Sequence, residues 1–392
     1  MRLLFILTEL PYPASRNGVA LINHELLKSA PAGSCIDLLI TGREEAAEPT
    51  QRLRAVAPAI NDIRFTNEPL SRRYRIGNLL SGVLLGRNIF TQPALRRYLA
   101  DQRGSYDAFY VAPLMAGLDF QLTTPLFLNA VDSFARFNEN AYRRSGGWRD
   151  RMKVGLYRAY ERRVLAAASL INFVSSTDMA GVRRGNPSLP LINISNGVDS
   201  TVFTPVEHLR VAGRLLFTGN FDYAPNAEAA RHLVLDIFPS IRAARPDATL
   251  HIVGRNPPPE LHRQPGVTTT GFVPDIVACY RSAEVFVCPL LSGAGVKNKI
   301  LEALSAGLPI VTTSLGIDGI EHLHEGHHYL LADEQATFAR RVLEVLDDAA
   351  LRRSLGEHAR AVATRHLGWQ PIVKHYFDAL AQIARSCPGA SV

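Results

Sequence analysis

The chain has 392 residues, enough for two or three domains with sizeable cores, and at 47% hydrophobic and 20% charged residues it is too apolar to be a disordered chain. Its net charge of +7 is unevenly placed: residues 1–200 hold 25 Lys+Arg against 17 Asp+Glu, and residues 201–392 hold 18 against 19. The first half, at a net +8, is therefore expected to meet an anionic partner or surface.

The first half alternates strand and helix signals. "RLLFIL" reads as a buried strand; the apolar run stops at Thr8-Glu9 with no small-residue cleavage pattern, so a signal peptide is not expected. "GVALINHELLKSA" has helical periodicity and ends near Pro31-Ala32-Gly33, and "CIDLLIT" is a second strand closed by Gly42. "SYDAFYVA", "PLFLNAVD" and "LINFVSS" are further strands, with "LYRAYERRVLAAAS" a helix before the last. Apolar patches such as "LLSGVLLG" and "VLAAASLINFV" fall short of the roughly 18–20 residues of a bilayer span.

The pattern then restarts. "RLLFTGN" is a strand ending in Gly219, and "AEAARHLVLDIFPSIRAARP" is a helix stopped by Pro246. "TLHIVGR", "VTTTGFV", "EVFVCPL" and "PIVTT" are strands, "IVACYRSA" and "NKILEALSAG" are helices, and "QATFARRVLEVLDD" is a late helix. Interleaving of this kind predicts an α/β chain with two doubly wound parallel sheets, joined through the Gly- and Pro-bearing "NGVDSTVFTPVEHLRVAG". Such sheets bind ligands beyond the carboxyl ends of their strands. The cysteines Cys35, Cys279, Cys288 and Cys387 are scattered, with no CxxC pair, which suits a reducing cytoplasm and suggests neither a disulfide framework nor a metal site.

The stretch "GAGVKNKILEALSAGLPIVTT" concentrates chemistry. Its glycines let backbone N–H groups approach a ligand closely. The helix expected from Asn298 offers free N–H groups and a dipole to an anion, with Lys297 and Lys299 at the same end. Ile300, Leu301 and Leu304 have the spacing of a buried face. Glu302, three residues past Lys299, is placed to accept hydrogen bonds from a ribose diol, and Gly307 and Pro309 end the helix. A solvated Lys–Glu helix pair is the alternative.

"PLLSGAGVKNKILEALSAGLPIV" resembles the donor-site motif of retaining GT-B glycosyltransferases of family 4, the glycosyl transferase group 1 proteins. "NGVDSTVFTP", "LLFTGNFDYAPN", "LHIVGRNP" and "TGFVPDI" match the same family in order, and "HLGWQPIVKHYF" resembles its C-terminal crossover helix. "TGNFDYAPN" with "GVKNKILEA" looks most like the sugar transferases of exopolysaccharide and PEP-CTERM-type clusters. The resemblance implies two Rossmann-like domains facing across a cleft: an acceptor domain over 1–200, a nucleotide-sugar domain over 201–366, and a helix over 367–392 that crosses back. It also implies a UDP- or GDP-type sugar donor, a carbohydrate or lipid-linked hydroxyl acceptor, retention at the anomeric carbon, no cofactor and no metal.

Carried over residue by residue, Glu302 matches the second of two family glutamates and holds the nucleotide ribose. The first falls on Ala294, which has no side-chain group for the donor sugar. A basic residue of the family falls on Asn220, after Gly219, so that Lys297 or Lys299 is left to supply the phosphate charge. Gly293, Gly295 and Val296 complete the donor loop, and Arg255, after "IVG", either reaches a phosphate or is a surface residue. In "PYPASRNG", Asn17 and Gly18 face the donor phosphates and acceptor, or form an ordinary strand-to-helix turn. Asp132, just past a strand in "NAVDS", is a general base or acceptor-orienting group, or else a helix N-cap. Asp132, Lys299 and Glu302 are the candidate catalytic residues; the leaving phosphate itself is an alternative base.

The cation-rich "RRSGGWRDRMKVGLYRAYERR" suits anionic lipid or a lipid-linked pyrophosphate, at the inner face of a membrane, with a solvated basic helix as the alternative. No nucleic-acid motif accompanies it. A nucleotide-sugar epimerase and a catalytically weak sugar-nucleotide-binding protein are the other functions open to such a chain. A dinucleotide-dependent oxidoreductase is disfavoured, because no GxGxxG follows a strand.

Overall fold

The computed structural model describes residues 1–14, 17–42, 47–66, 93–102, 104–114 and 124–386. "LLSGVLLG", Ser15, Arg16 and Cys387 lie outside them. The chain divides into two compact units, one of Met1–Ser195 with Gln370–Val392 and one of Asn196–Trp369.

In the first unit β1 (Arg2–Leu7), α1 (Gly18–Lys28), β2 (Cys35–Ile40), α2 (Ala47–Val56), β3 (Ile60–Phe65), α3 (Pro93–Asp101) and β4 (Ala108–Ala112) are followed by β5 (Leu126–Val131). Then come α4 (Phe134–Ser145), α5 (Trp148–Leu165), β6 (Leu170–Phe173), α6 (Ser176–Gly185) and β7 (Leu191–Asn193). The sheet is parallel throughout, in the order β3-β2-β1-β4-β5-β6-β7. Its central strands are buried end to end, as expected when helices cover both faces.

The second unit has β8 (Arg214–Thr218), α7 (Ala224–Arg231), α8 (Phe238–Ala244), β9 (Thr249–Val253), β10 (Val267–Thr270), α9 (Ile276–Ser282) and β11 (Val285–Cys288). These lead to α10 (Asn298–Ser305), β12 (Ile310–Thr312), α11 (Ser314–Ile317), β13 (Leu330–Leu331), α12 (Gln335–Asp347) and α13 (Ala349–His366). Its parallel sheet runs β10-β9-β8-β11-β12-β13. The long helix expected over 227–246 is broken by a π-helical turn at His232–Ile237. Leu215, Phe217, Leu250, Ile252, Val285 and Val287 form the heart of the core.

A last helix, α14 (Trp369–Arg385), returns the chain to the first unit from Gln370 on. There Asn172 Nδ2 donates to the buried hydroxyl of Tyr376 at 2.8 Å. Asn129 Nδ2 donates to Tyr110, and Tyr110 in turn donates to Asn23 Oδ1, so the polar groups under this helix are satisfied.

Candidate active site

β11 carries the chain to the carboxyl edge of the second sheet, where the loop Pro289–Val296 begins. Gly293 and Gly295 are buried with φ of 118° and 72°, a region that side-chain-bearing residues rarely adopt. A Cβ on Gly293 would stand 3.5 Å from Tyr223 Oη, so the loop lies against the start of α7. Lys297, only 8% exposed, turns its ammonium back onto Gly295 O at 2.6 Å. It clamps the loop rather than standing free beside the helix. No side chain caps α10; Ile300 N donates to Lys297 O at 2.8 Å, and the N–H groups of Asn298 and Lys299 keep their capacity for a ligand.

Lys299 and Glu302 follow one turn apart on α10. Lys299 Nζ donates to Asn226 Oδ1 at 2.7 Å and stands 4.4 Å from the centre of the Phe217 ring. Burial lowers its ammonium to about 8, against the attraction of Glu302. Burial raises the Glu302 carboxyl above the ordinary carboxylate value, against a hydrogen bond from Tyr280 and the charge of Lys299. Tyr280 Oη donates to Glu302 Oε2 at 2.6 Å. Its one proton being spent there, Tyr280 accepts from Thr218 Oγ1 at 2.8 Å. Glu302 Oε1 has no hydrogen-bond partner among the described residues. The pair is thus half-buried at the end of β8 and oriented by Asn226 and Tyr280, not a freely solvated helix pair.

The backbone closes tightly around this pair. A Cβ on Gly219 would fall 3.2 Å from Lys299 Nζ and 3.0 Å from the Asn226 amide carbon. Gly254, at φ 138°, brings the end of β9 so close that a Cβ there would sit 1.8 Å from Gly219 O. Asn220 is exposed; its Oδ1 accepts from Asp222 N, and its carbonyl accepts from Asn226 Nδ2 at 2.8 Å. Lys299 therefore reaches the space beside Gly219. Arg255 is exposed, with no side-chain hydrogen bond or ion pair among the described residues. Ala294 and Val296 are half-buried in the loop.

The structure thus gathers Gly219, Asn220, Gly293, Gly295, Lys297, Lys299 and Glu302 at one sheet edge. Asn17, Gly18 and Asp132 are at the carboxyl edge of the other sheet. Asn17 caps α1 by accepting from Ala20 N at 2.9 Å, and its amide donates to Glu9. Asp132 is not the cap of α4: Ser133 is, accepting from Arg136 N. The helix begins at Phe134, one position later than an Asp132 cap requires, and Val131 before it has a φ of 68°, unusual for a β-branched residue. Backbone strain of this kind clusters at functional sites.

Sequence reasoning missed Tyr280, Thr218 and Asn226. Tyr280 and Thr218 lie inside apolar elements, α9 and β8, and read as core. Asn226 had a signal, the "APN" that opens α7, but its contact with Lys299 spans 73 positions of sequence. Among the described residues no three His, Cys, Asp or Glu side chains are grouped to hold a metal ion.

Residues 212–348 match the family described as "Glycosyl transferases group 1". The phosphatidyl-myo-inositol mannosyltransferase of Mycobacterium leprae (strain TN) is 27% identical over 209 residues, 50% of this chain and 54% of that protein. The chain thus spans about half the length of the curated relatives it matches. Among solved structures, Anabaena Alr3699/HepE in complex with UDP and glucose aligns with a TM-score of 0.68 at 15% identity, over 97% of this chain and 99% of that one. Sucrose-phosphate synthase from Thermosynechococcus elongatus aligns with a TM-score of 0.71 at 17% identity, over 98% and 99%. The fold is therefore the α/β fold of GT-B glycosyltransferases.

Proposed function

We propose that the chain is a glycosyltransferase that moves a sugar from a nucleotide-diphosphate sugar to an acceptor hydroxyl, with retention at the anomeric carbon and without a metal. The observation that carries this is the Tyr280–Glu302–Lys299 constellation beside an uncapped helix N-terminus and a loop of buried glycines. Tyr280 holds Oε2 and leaves Oε1 of Glu302 to the ribose hydroxyls. The ammonium of Lys299 and the N–H groups of Asn298 and Lys299 at the start of α10 receive the diphosphate. As the bond from the anomeric carbon to the phosphate oxygen breaks, the same groups stabilise the charge that grows on the nucleoside diphosphate. The acceptor oxygen bonds to that carbon, and its proton passes to the leaving phosphate.

The match over 212–348 and the mannosyltransferase relative support the reaction class, and the UDP complex of the Anabaena protein supports a UDP-type donor. GDP remains the other base to test. The acceptor is a carbohydrate or lipid-linked hydroxyl, in polysaccharide or glycoconjugate synthesis, with peripheral membrane contact through the basic first half.

The test is calorimetry of UDP, GDP and their sugars with the wild type and Glu302→Ala. Saturable binding of one nucleotide, weakened at least about tenfold by the substitution, is expected. Wild type that binds none at millimolar concentration refutes the proposal. Product analysis separates transfer from epimerisation, which needs no acceptor.

A further inference from the structure

On α5, Trp148, Met152, Gly155, Ala159 and Arg162 recur at alternating spacings of four and three, which places them on one helix face. The first two are 67% and 64% exposed, with Arg149 over the Trp148 ring and Arg151 and Lys153 exposed beside them. Farther along the same face the helix borders a cavity of about 820 Å³ shared with α4 and α6. Gly155 leaves it open, since a Cβ there would meet nothing within 4 Å.

Arginines 136, 143, 158, 162 and 184 line this cavity. Arg136 is held by Asp178 at 2.8 Å, and Glu139 holds both Arg143 and Arg158, at 3.4 and 3.1 Å. Arg162 and Arg184 are exposed and make no ion pair among the described residues. The cavity therefore keeps at least two free cations, next to an exposed apolar pair and on the half of the chain that carries a net +8.

Two side chains are too little apolar surface for a stable protein interface, which buries about 1,200–2,000 Å². They are enough for a shallow wedge in a bilayer interface, where tryptophan and flanking cations are favoured. We propose that the α4–α5–α6 groove docks on the anionic phospholipid headgroups of a bilayer. Arg162 and Arg184 bind phosphate, and Trp148 and Met152 enter the interfacial layer. This rests on the membrane contact proposed above and names the element that makes it.

The test is co-sedimentation of the full chain with vesicles of phosphatidylcholine alone or mixed with phosphatidylglycerol, with emission of Trp148 recorded in parallel. Trp369, the other tryptophan, is 7% exposed and serves as a fixed background. Binding to the mixed vesicles only, with a blue shift, is expected. The double variant Arg162→Ala, Arg184→Ala should bind about 25-fold more weakly, at about fivefold per arginine. Trp148→Ala, Met152→Ala should also bind more weakly.

Mixed vesicles that bind both variants as tightly as the wild type overturn the groove while leaving membrane contact in place. No vesicle binding overturns both. If inorganic pyrophosphate then binds and the arginine variant loses it, the groove takes a soluble phosphate and not a lipid surface. UDP titration of the same proteins reads the sugar-transfer proposal separately.

Discussion

Replacing Tyr280 by Phe removes one oxygen from the centre of the candidate site. The ring stays: it stacks on Phe286 at 5.6 Å between centroids and meets Phe203 edge-on at 5.4 Å, and neither contact needs the hydroxyl. What is lost is a 2.6 Å hydrogen bond to Glu302 Oε2 and the bond from Thr218. A hydrogen bond to a charged group is worth about 1.5–3 kcal/mol, and a neutral one about 0.5–1.5. Burial already raises the Glu302 carboxyl, and the Tyr280 bond opposes that rise. A carboxyl raised in the folded chain holds its proton more tightly than in the unfolded chain. Stability therefore falls as pH rises through the interval from the unfolded value, about 4.3, to the folded one.

Without Tyr280 that interval widens upward. Tyr280→Phe should cost about 1.5–3 kcal/mol at pH about 7, and about 0.5–1.5 kcal/mol at pH about 4, where Glu302 is protonated. The measurement is urea unfolding at both pH values, read by the buried Trp369 of the same unit. UDP affinity at pH about 7 should fall about tenfold, because Oε1 is no longer aimed. An equal loss of stability at both pH values would show that Tyr280 acts by packing alone and would sink the argument.

Three further outcomes are expected. Lys299→Met should abolish most nucleotide-diphosphate binding; in the wild type, affinity should fall as pH rises through about 8, where the free protein's ammonium loses its proton. Titration calorimetry across that range checks it. Gly254→Ala should destabilise the second unit by about 3 kcal/mol or more, since its Cβ would overlap Gly219 O and its φ of 138° disfavours any side chain; thermal melting reads this directly. Glu161 is buried, its carboxyl raised to about 7, and accepts from Ser133 Oγ and Ala135 N. Wild-type stability from this group is lost as pH rises towards about 7, so Glu161→Gln should gain on the wild type by up to about 3 kcal/mol between pH about 5 and 8. A difference in urea midpoints that stays flat with pH would contradict this.

Much of the fold was legible because buried parallel strands are apolar runs. "RLLFIL", "CIDLLI" and "VFVC" are strands for that reason. Of the four sheet edges only β10, within "VTTTGFV", was legible. β3 buries only Ile60 fully, β7 has no fully buried residue, and β13 is two residues long, so none carries a pattern. The π-helical turn within 224–244 left no mark in the apolar periodicity; its one local signal is Pro239 just after it, which has no N–H to donate.

The candidate site divides in the same way. The sequence by itself determined the glycine loop, the helix from Asn298 to Ser305 and the presence of Lys299 and Glu302 one turn apart, since all of these are local in the chain. Only the tertiary structure decided their state. Tyr280 and Asn226 reach the pair from 22 and 73 positions away, and Lys297 folds onto its own loop. Periodicity reports which face of an element is buried. It says nothing of which distant hydroxyl or amide meets a charge there, and it is that meeting which turns a common Lys–Glu spacing into a half-buried, oriented pair.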